Sequence, residues 1–95
     1  MQFEWDEAKR QANIIKHKID FAEAVTIYDP GKFTYTYKRN GDYGEERYVS
    51  IGILDDKEIA VVYTTRNDKR RIISVRRARI NERKLYYDER RKNSK

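Results

Sequence analysis

The sequence predicts an α+β fold: a small antiparallel sheet of about four strands, with two helices before it and one after it. Three observations predict this. Apolar residues recur at helical spacing up to Asp29-Pro30-Gly31, a strong turn signal. After that turn, short β-branched and aromatic runs are separated by brief polar turns, the mark of hairpin-linked strands. Beyond Ala78 the pattern returns to helix. The expected order is β-α-α-β-β-β-β-α, with the helices on one side of the sheet.

The elements follow in turn. Phe3 to Trp5 reads as a short strand, and Asp6 as an N-cap. Ala8, Ala12, Ile15 and Ile19 then fall on one helical face, while Lys16, His17 and Lys18 crowd the last turn, where cations complement the helix dipole. A second short helix is expected from about Asp20, with Phe21, Ala24, Val25 and Tyr28 on one side. Phe33 to Tyr37 alternates aromatic with threonine and reads as a half-buried strand, closed by Asn40-Gly41. Arg47 to Leu54 carries Val49, Ile51 and Ile53 on one face, and Asp55-Asp56-Lys57 is the next turn. Ile59 to Thr65 is almost wholly apolar or β-branched, as a central strand is. Asn67-Asp68 signals a hairpin, and Arg71 to Arg76 is the last strand. The final helix is expected from about Arg79 to Arg91, packing through Ile80, Leu85 and Tyr86.

Residues 1–95 suffice for a single domain with a modest core. Charged residues reach 40%, a level that raises the question of disorder, but 12 aromatic residues and runs such as IAVVY and RIISV require burial. Cysteine is absent, which excludes disulfides and thiolate zinc sites. The opening MQFEWDEAKR does not resemble a signal peptide, and no run approaches the roughly 18 apolar residues of a membrane span; the expected setting is cytoplasmic, without membrane contact. Charge is unevenly spread. Residues 1–65 hold 9 Lys/Arg against 12 Asp/Glu, a net −3, and residues 66–95 hold 13 against 4, a net +9. Such a field suits RNA, DNA or an acidic protein.

Four ordered segments carry a family resemblance. The first is Phe3-x-Trp5-Asp6 with Lys9, Asn13, Lys16-His17, Phe21 and Ala24. The second is Glu45-Glu46-Arg47-Tyr48 with Ile51-Gly52, and the third Val61-Val62-Tyr63-Thr64-x-Arg66. The last is Arg71-Ile72-Ile73-Ser74-x-Arg76-Arg77-Ala78, followed by Glu82-Arg83 and Tyr86. Together they resemble the BrnT family, the toxins of BrnT–BrnA type II toxin–antitoxin systems. The resemblance implies a RelE-like fold and a metal-independent endoribonuclease that cleaves RNA and arrests growth. It also implies a BrnA-like antitoxin as inhibitor, with operator DNA contacted only through that partner. Two positions depart from the family pattern. Lys18 stands where a glycine commonly ends the first helix, and Arg79 where a Thr or Ser commonly precedes the last.

Cutting RNA without a metal or other cofactor needs a base for the ribose 2′-OH, an acid for the leaving 5′-oxygen, and cations for the phosphate. Arg66, Arg76 and Arg77 are the phosphate-binding candidates, because a guanidinium fork matches phosphate oxygens; the alternative is pairing with Glu or Asp at a sheet edge. Hairpin register decides which of them cooperate. A two-residue loop at Asn67-Asp68 sets Arg66 opposite Lys69, on a face with Arg71, Ile73, Val75 and Arg77; a three-residue loop sets it opposite Arg70, with Ser74 and Arg76. Ser74 suits an open face, which favours Arg76 as the more exposed arginine. His17 is an acid–base candidate as the sole histidine, or else a cap for its helix end. Lys16 is a candidate contact for phosphate or antitoxin, and Glu45 and Glu46 are candidate bases, with Glu46 in the catalytic set. Arg70, Arg71, Arg79 and Tyr63 are candidate RNA contacts, and Trp5 could stack on a base or anchor the core. The competing functions are a non-catalytic basic RNA-binding module and a degenerate toxin kept as an antitoxin scaffold.

Overall fold

The computed structural model describes residues 2–41 and 44–94. β1 (Gln2–Trp5) leads into α1 (Glu7–His17), α2 (Phe21–Ala24) and a 3₁₀ turn (Val25–Tyr28). β2 (Tyr35–Arg39), β3 (Arg47–Leu54), β4 (Lys57–Arg66) and β5 (Lys69–Arg77) follow, then α3 (Ile80–Lys92). The strands form one sheet in the order β1-β5-β4-β3-β2. β2 to β5 pair antiparallel, as expected. The expected sheet of about four antiparallel strands is nevertheless a mixed sheet of five. β1 lies parallel to β5, with Phe3 opposite Arg70 and Trp5 opposite Ile72. Without β1 the backbone groups of that stretch of β5 would be left unpaired at an edge.

The expectation of helices on one side is also corrected. Successive strand residues point to opposite faces, and each face has its own cover. On one, here the N-helix face, Phe21, Ala24 and Ile27 are buried against Ile59, Val61, Tyr63, Ile72 and Val75. On the other, the C-helix face, Tyr86 and Ala78 are buried against Val49, Ile51, Ala60 and Val62. β4 supplies both cores from alternate residues, which is why its sequence reads as a continuous apolar run. The N-helix face is closed tightly. A Cβ on Gly52 would stand 2.7 Å from Ile27 Cβ, so glycine lets the 3₁₀ turn sit directly on β3.

α1 forms as predicted, with Asp6 Oδ1 accepting the Ala8 N–H at 2.8 Å. Its orientation is not as predicted. Ile15 is 73% exposed, Ala8 and Ala12 are exposed, and the buried residue is Asn13. Only Ile19 of the expected face packs on the core. The cause lies at the sheet edge. β1 stops at the level of Ile72, and the Val75 N–H beyond it needs an acceptor, which Asn13 Oδ1 supplies at 3.1 Å. Asn13 Nδ2 also donates to the Ile19 carbonyl at 3.0 Å. Satisfying a buried backbone donor outweighs hiding one isoleucine. Lys18 takes the role of the missing glycine, with φ 60° and its N–H on the Ile14 carbonyl.

α3 also departs from its expected packing. Ile80 is 78% and Leu85 41% exposed, while Glu82 and Tyr86, one turn apart, face the sheet. The first strand after the proline turn begins at Tyr35, two residues later than expected, and Phe33 packs on the Tyr86 ring instead.

Candidate functional site

The hairpin between β4 and β5 settles the partnership of the arginines. Asn67 and Asp68 have φ 53° and 63°, and Arg66 opposes Lys69 across a two-residue loop. Simple alternation from there would put Arg66 on the face of Val75 and Arg77. It does not, because Tyr63 opposes Ile72 while Val62 opposes Ser74, so Ile73 is an extra residue. This β-bulge reverses the parity of β5. Below it Arg71 lies opposite Thr64, on the face of Arg66; above it Ser74 and Arg76 lie on that same face, and Arg77 turns away with Val75. The loop is that of one sequence alternative, and the arginine partnership is that of the other.

This arrangement makes the C-helix face basic. Arg39, Arg47, Arg66, Lys69, Arg71 and Arg76 project on it, against Glu4, Glu45 and Glu82. Arg76 stands opposite Ala60, six residues along β4 from Arg66, so the row runs roughly 20 Å. At the hairpin end Arg71 Nη1 donates to Glu4 Oε2 at 3.0 Å. The Glu45 carboxylate lies 3.5 Å from Arg66 Nη2 and 3.5 Å from Arg47 Nε. Thr64 Oγ1 donates to the Glu46 carbonyl at 2.7 Å and so pins this segment to the sheet. The Glu46 side chain belongs to the other face, where Tyr48 Oη and Lys38 Nζ donate to it at 2.6 and 3.1 Å; these bonds lower its pKa.

Arg76 is not the more exposed arginine that the Ser74 face led one to expect: its side chain is 16% exposed against 49% for Arg77, because where α3 begins it meets a carboxylate that is not among the sequence candidates. Arg76 Nη1 and Nη2 donate to the two oxygens of Glu82 at 2.7 and 3.0 Å. Tyr37 Oη donates to Glu82 Oε2 at 2.5 Å, and the Arg79 N–H to Oε1 at 2.8 Å. Glu82 is 2% exposed. Burial pushes its carboxyl upward, but Arg76, the Arg79 N–H and Tyr37 outweigh burial and bring it down to about 2. Burial, and then Glu82, raise the Tyr37 hydroxyl. Arg79 has no side-chain acceptor, so only the reach-back half of a capping box operates here.

The remaining candidates lie elsewhere. Arg70 and Tyr63 are on the N-helix face, where the Arg70 guanidinium sits 4.6 Å from the Tyr28 ring and 4.9 Å from that of Tyr63. Tyr63 also stacks on Tyr48 and is buried. Trp5 packs edge-on against Phe21, as a core anchor does. His17 and Arg77 share a cleft of about 390 Å³ beside the turn between β3 and β4, on the N-helix face and at the end of the sheet away from Arg66. Lys18 and Lys57 line it too, but Asp20, Glu23 and Asp55 balance the charge. Arg77 Nε donates to the Glu58 carbonyl at 3.2 Å. Lys16 is exposed on α1, beside His17. Among the described residues no group of three His, Asp or Glu side chains stands close enough to hold a metal, and no helix is long and apolar enough to cross a membrane.

A sheet flanked by helices on both faces, with one end of one face given over to guanidinium groups, defines a small basic protein suited to a polyanion. The sequence model of the family described as "Ribonuclease toxin, BrnT, of type II toxin-antitoxin system" matches residues 5–82, and the chain belongs to that family. Its function is accordingly that of a ribonuclease toxin in a type II toxin–antitoxin system. No curated protein matches the sequence. Glu82, the last residue matched, is visible in the sequence only as part of the family pattern; a Glu three residues into a helix reads as a cap, and nothing local shows that Arg76 reaches it.

Proposed function

We propose that RNA lies along the arginine row of the C-helix face and is cut there without a metal ion. The observation that carries this reading is the bulge at Ile73, which turns Ser74 and Arg76 to the same side as Arg66 and Arg71. Arg66 and Arg71 contact phosphate at the hairpin end, and Arg76 does so at the start of α3. Their partial pairing with Glu45 and Glu4 fixes the guanidinium planes in advance, so less freedom is lost when phosphate binds. Glu45, rather than Glu46, is the carboxylate that faces this row and can take a proton from a ribose hydroxyl. His17, Lys16 and Arg77 stand outside it. Residues 1–95 act as one toxin domain with the RelE-like character that the resemblance implies. A BrnA-like antitoxin neutralises it in the cytoplasm and carries any contact with operator DNA.

Purified protein incubated with RNA in EDTA tests the proposal. Cleavage is expected, with Arg66→Ala and Arg71→Ala strongly impaired and His17→Ala close to wild type. Binding without shortening of the RNA would leave only the non-catalytic module, and a folded, non-toxic protein that still holds its antitoxin would leave only the scaffold.

A further inference from the structure

Glu82 is the most deeply buried carboxylate among the described residues, and it accepts four hydrogen bonds from three directions. A helix cap needs one of these, from the Arg79 N–H. The other three come from the sheet: two from Arg76 and one from Tyr37. The two Nη atoms of Arg76 grip the carboxylate end-on, and a further bond ties Nη1 to the Arg77 carbonyl at 3.3 Å. The Arg76 side chain, 16% exposed, is thus held in one plane. Glu82 also cancels its charge. An arginine that served only to attract RNA would gain nothing from a buried anion 2.7 Å away.

We infer that Glu82 is a positioning residue for the ribonuclease: with Tyr37 it aims Arg76 at the RNA and holds down the ground-state affinity of that position. The inference rests on the proposed RNA row. Its chemistry is geometric. A neutralised but directed donor adds little to binding of the intact strand, and it meets charge that develops on the phosphate as the bond breaks. Removing the carboxylate frees the guanidinium to swing and restores its net charge.

The test compares Glu82→Gln, Tyr37→Phe, Arg66→Ala and Arg71→Ala in steady-state cleavage of one defined RNA, with folding checked by circular dichroism. Glu82→Gln is expected to lower kcat about 100-fold, as misplaced groups do, and to lower KM as well. Its binding should also gain about one unit of salt slope from the extra unpaired cation. A merely structural role predicts fewer active molecules but an unchanged KM and salt slope, and that result overturns the inference. Tyr37→Phe keeps every charge and is expected to lower kcat several-fold at constant KM. If Glu82→Gln does not fold, Tyr37→Phe decides alone, and wild-type kcat in it overturns the inference. Full activity of folded Arg66→Ala and Arg71→Ala would instead sink the RNA row itself. Their loss beside an unaltered Glu82→Gln would sink only the positioning role.

Discussion

The two faces of this sheet are built from the same strands and do opposite work. The N-helix face is closed over its centre by α2 and the 3₁₀ turn, and its arginine at the hairpin end, Arg70, lays its charge on the rings of Tyr28 and Tyr63. The C-helix face is covered by α3 over the Tyr86 core, while Arg66 beyond it is 52% exposed. A small domain cannot afford two open faces, since burial of apolar area is its main stabilising term. Covering the centre of one face with helices leaves the end of the other free to bind.

The largest expected effect is on the closed face. Gly52→Val forces a side chain against Ile27 and should cost about 3 kcal/mol or more in chemical denaturation. A cost near zero would mean that the 3₁₀ turn is not seated on β3. Asn13→Ala strands the Val75 N–H and the Ile19 carbonyl, and a loss of about 2 kcal/mol is expected. On the open face the signature reverses. Arg66→Ala should lose about tenfold or more in RNA cleavage while the free energy of unfolding changes by less than about 0.5 kcal/mol. A large loss of stability there would erase the contrast between the faces.

Acid probes the seam where α3 joins the sheet. The folded pKa of Glu82, about 2, lies below its ordinary 4.5, so its contribution is complete above about 4.5 and is lost as pH falls through about 2. Asp20, also lowered to about 2 by Arg10 and then by the Ala22 N–H, acts in the same window. Thermal unfolding should therefore be nearly flat above pH 5 and weaken between 4.5 and 2, with a shallower fall in Glu82→Gln. An equal fall in both proteins would deny the Arg76–Glu82 pair its part. The smallest expected effect is a gain: Lys18→Gly relieves a left-handed φ of 60° and should stabilise by about 0.5–1 kcal/mol.

Much of this was legible before any fold was known. Asp6 as a cap, turns at Asp55-Asp56-Lys57 and Asn67-Asp68, and Val49, Ile51 and Ile53 on one face all follow from local rules, although the first helix stops at His17, short of the Lys18 and Ile19 that its apolar spacing includes. So did the family, because its motifs are residues in order. What local rules misjudged was orientation. Ala8, Ala12 and Ile15 spell an apolar stripe, yet Asn13 turned inward because a distant N–H on β5 needed an acceptor. The site was half legible: the arginines were named, but not which of them belong together. That turned on Ile73, one residue whose bulge has no mark in the sequence, because a bulge is set by how two strands mismatch over many pairs. The sequence by itself determined element types, turn chemistry and the reserve of positive charge, all of which depend on near neighbours. Only the tertiary structure decided that Arg76 faces with Arg66, that Arg77 does not, and that Glu82 is buried beneath Arg76, since each depends on groups far apart in the chain meeting across a sheet.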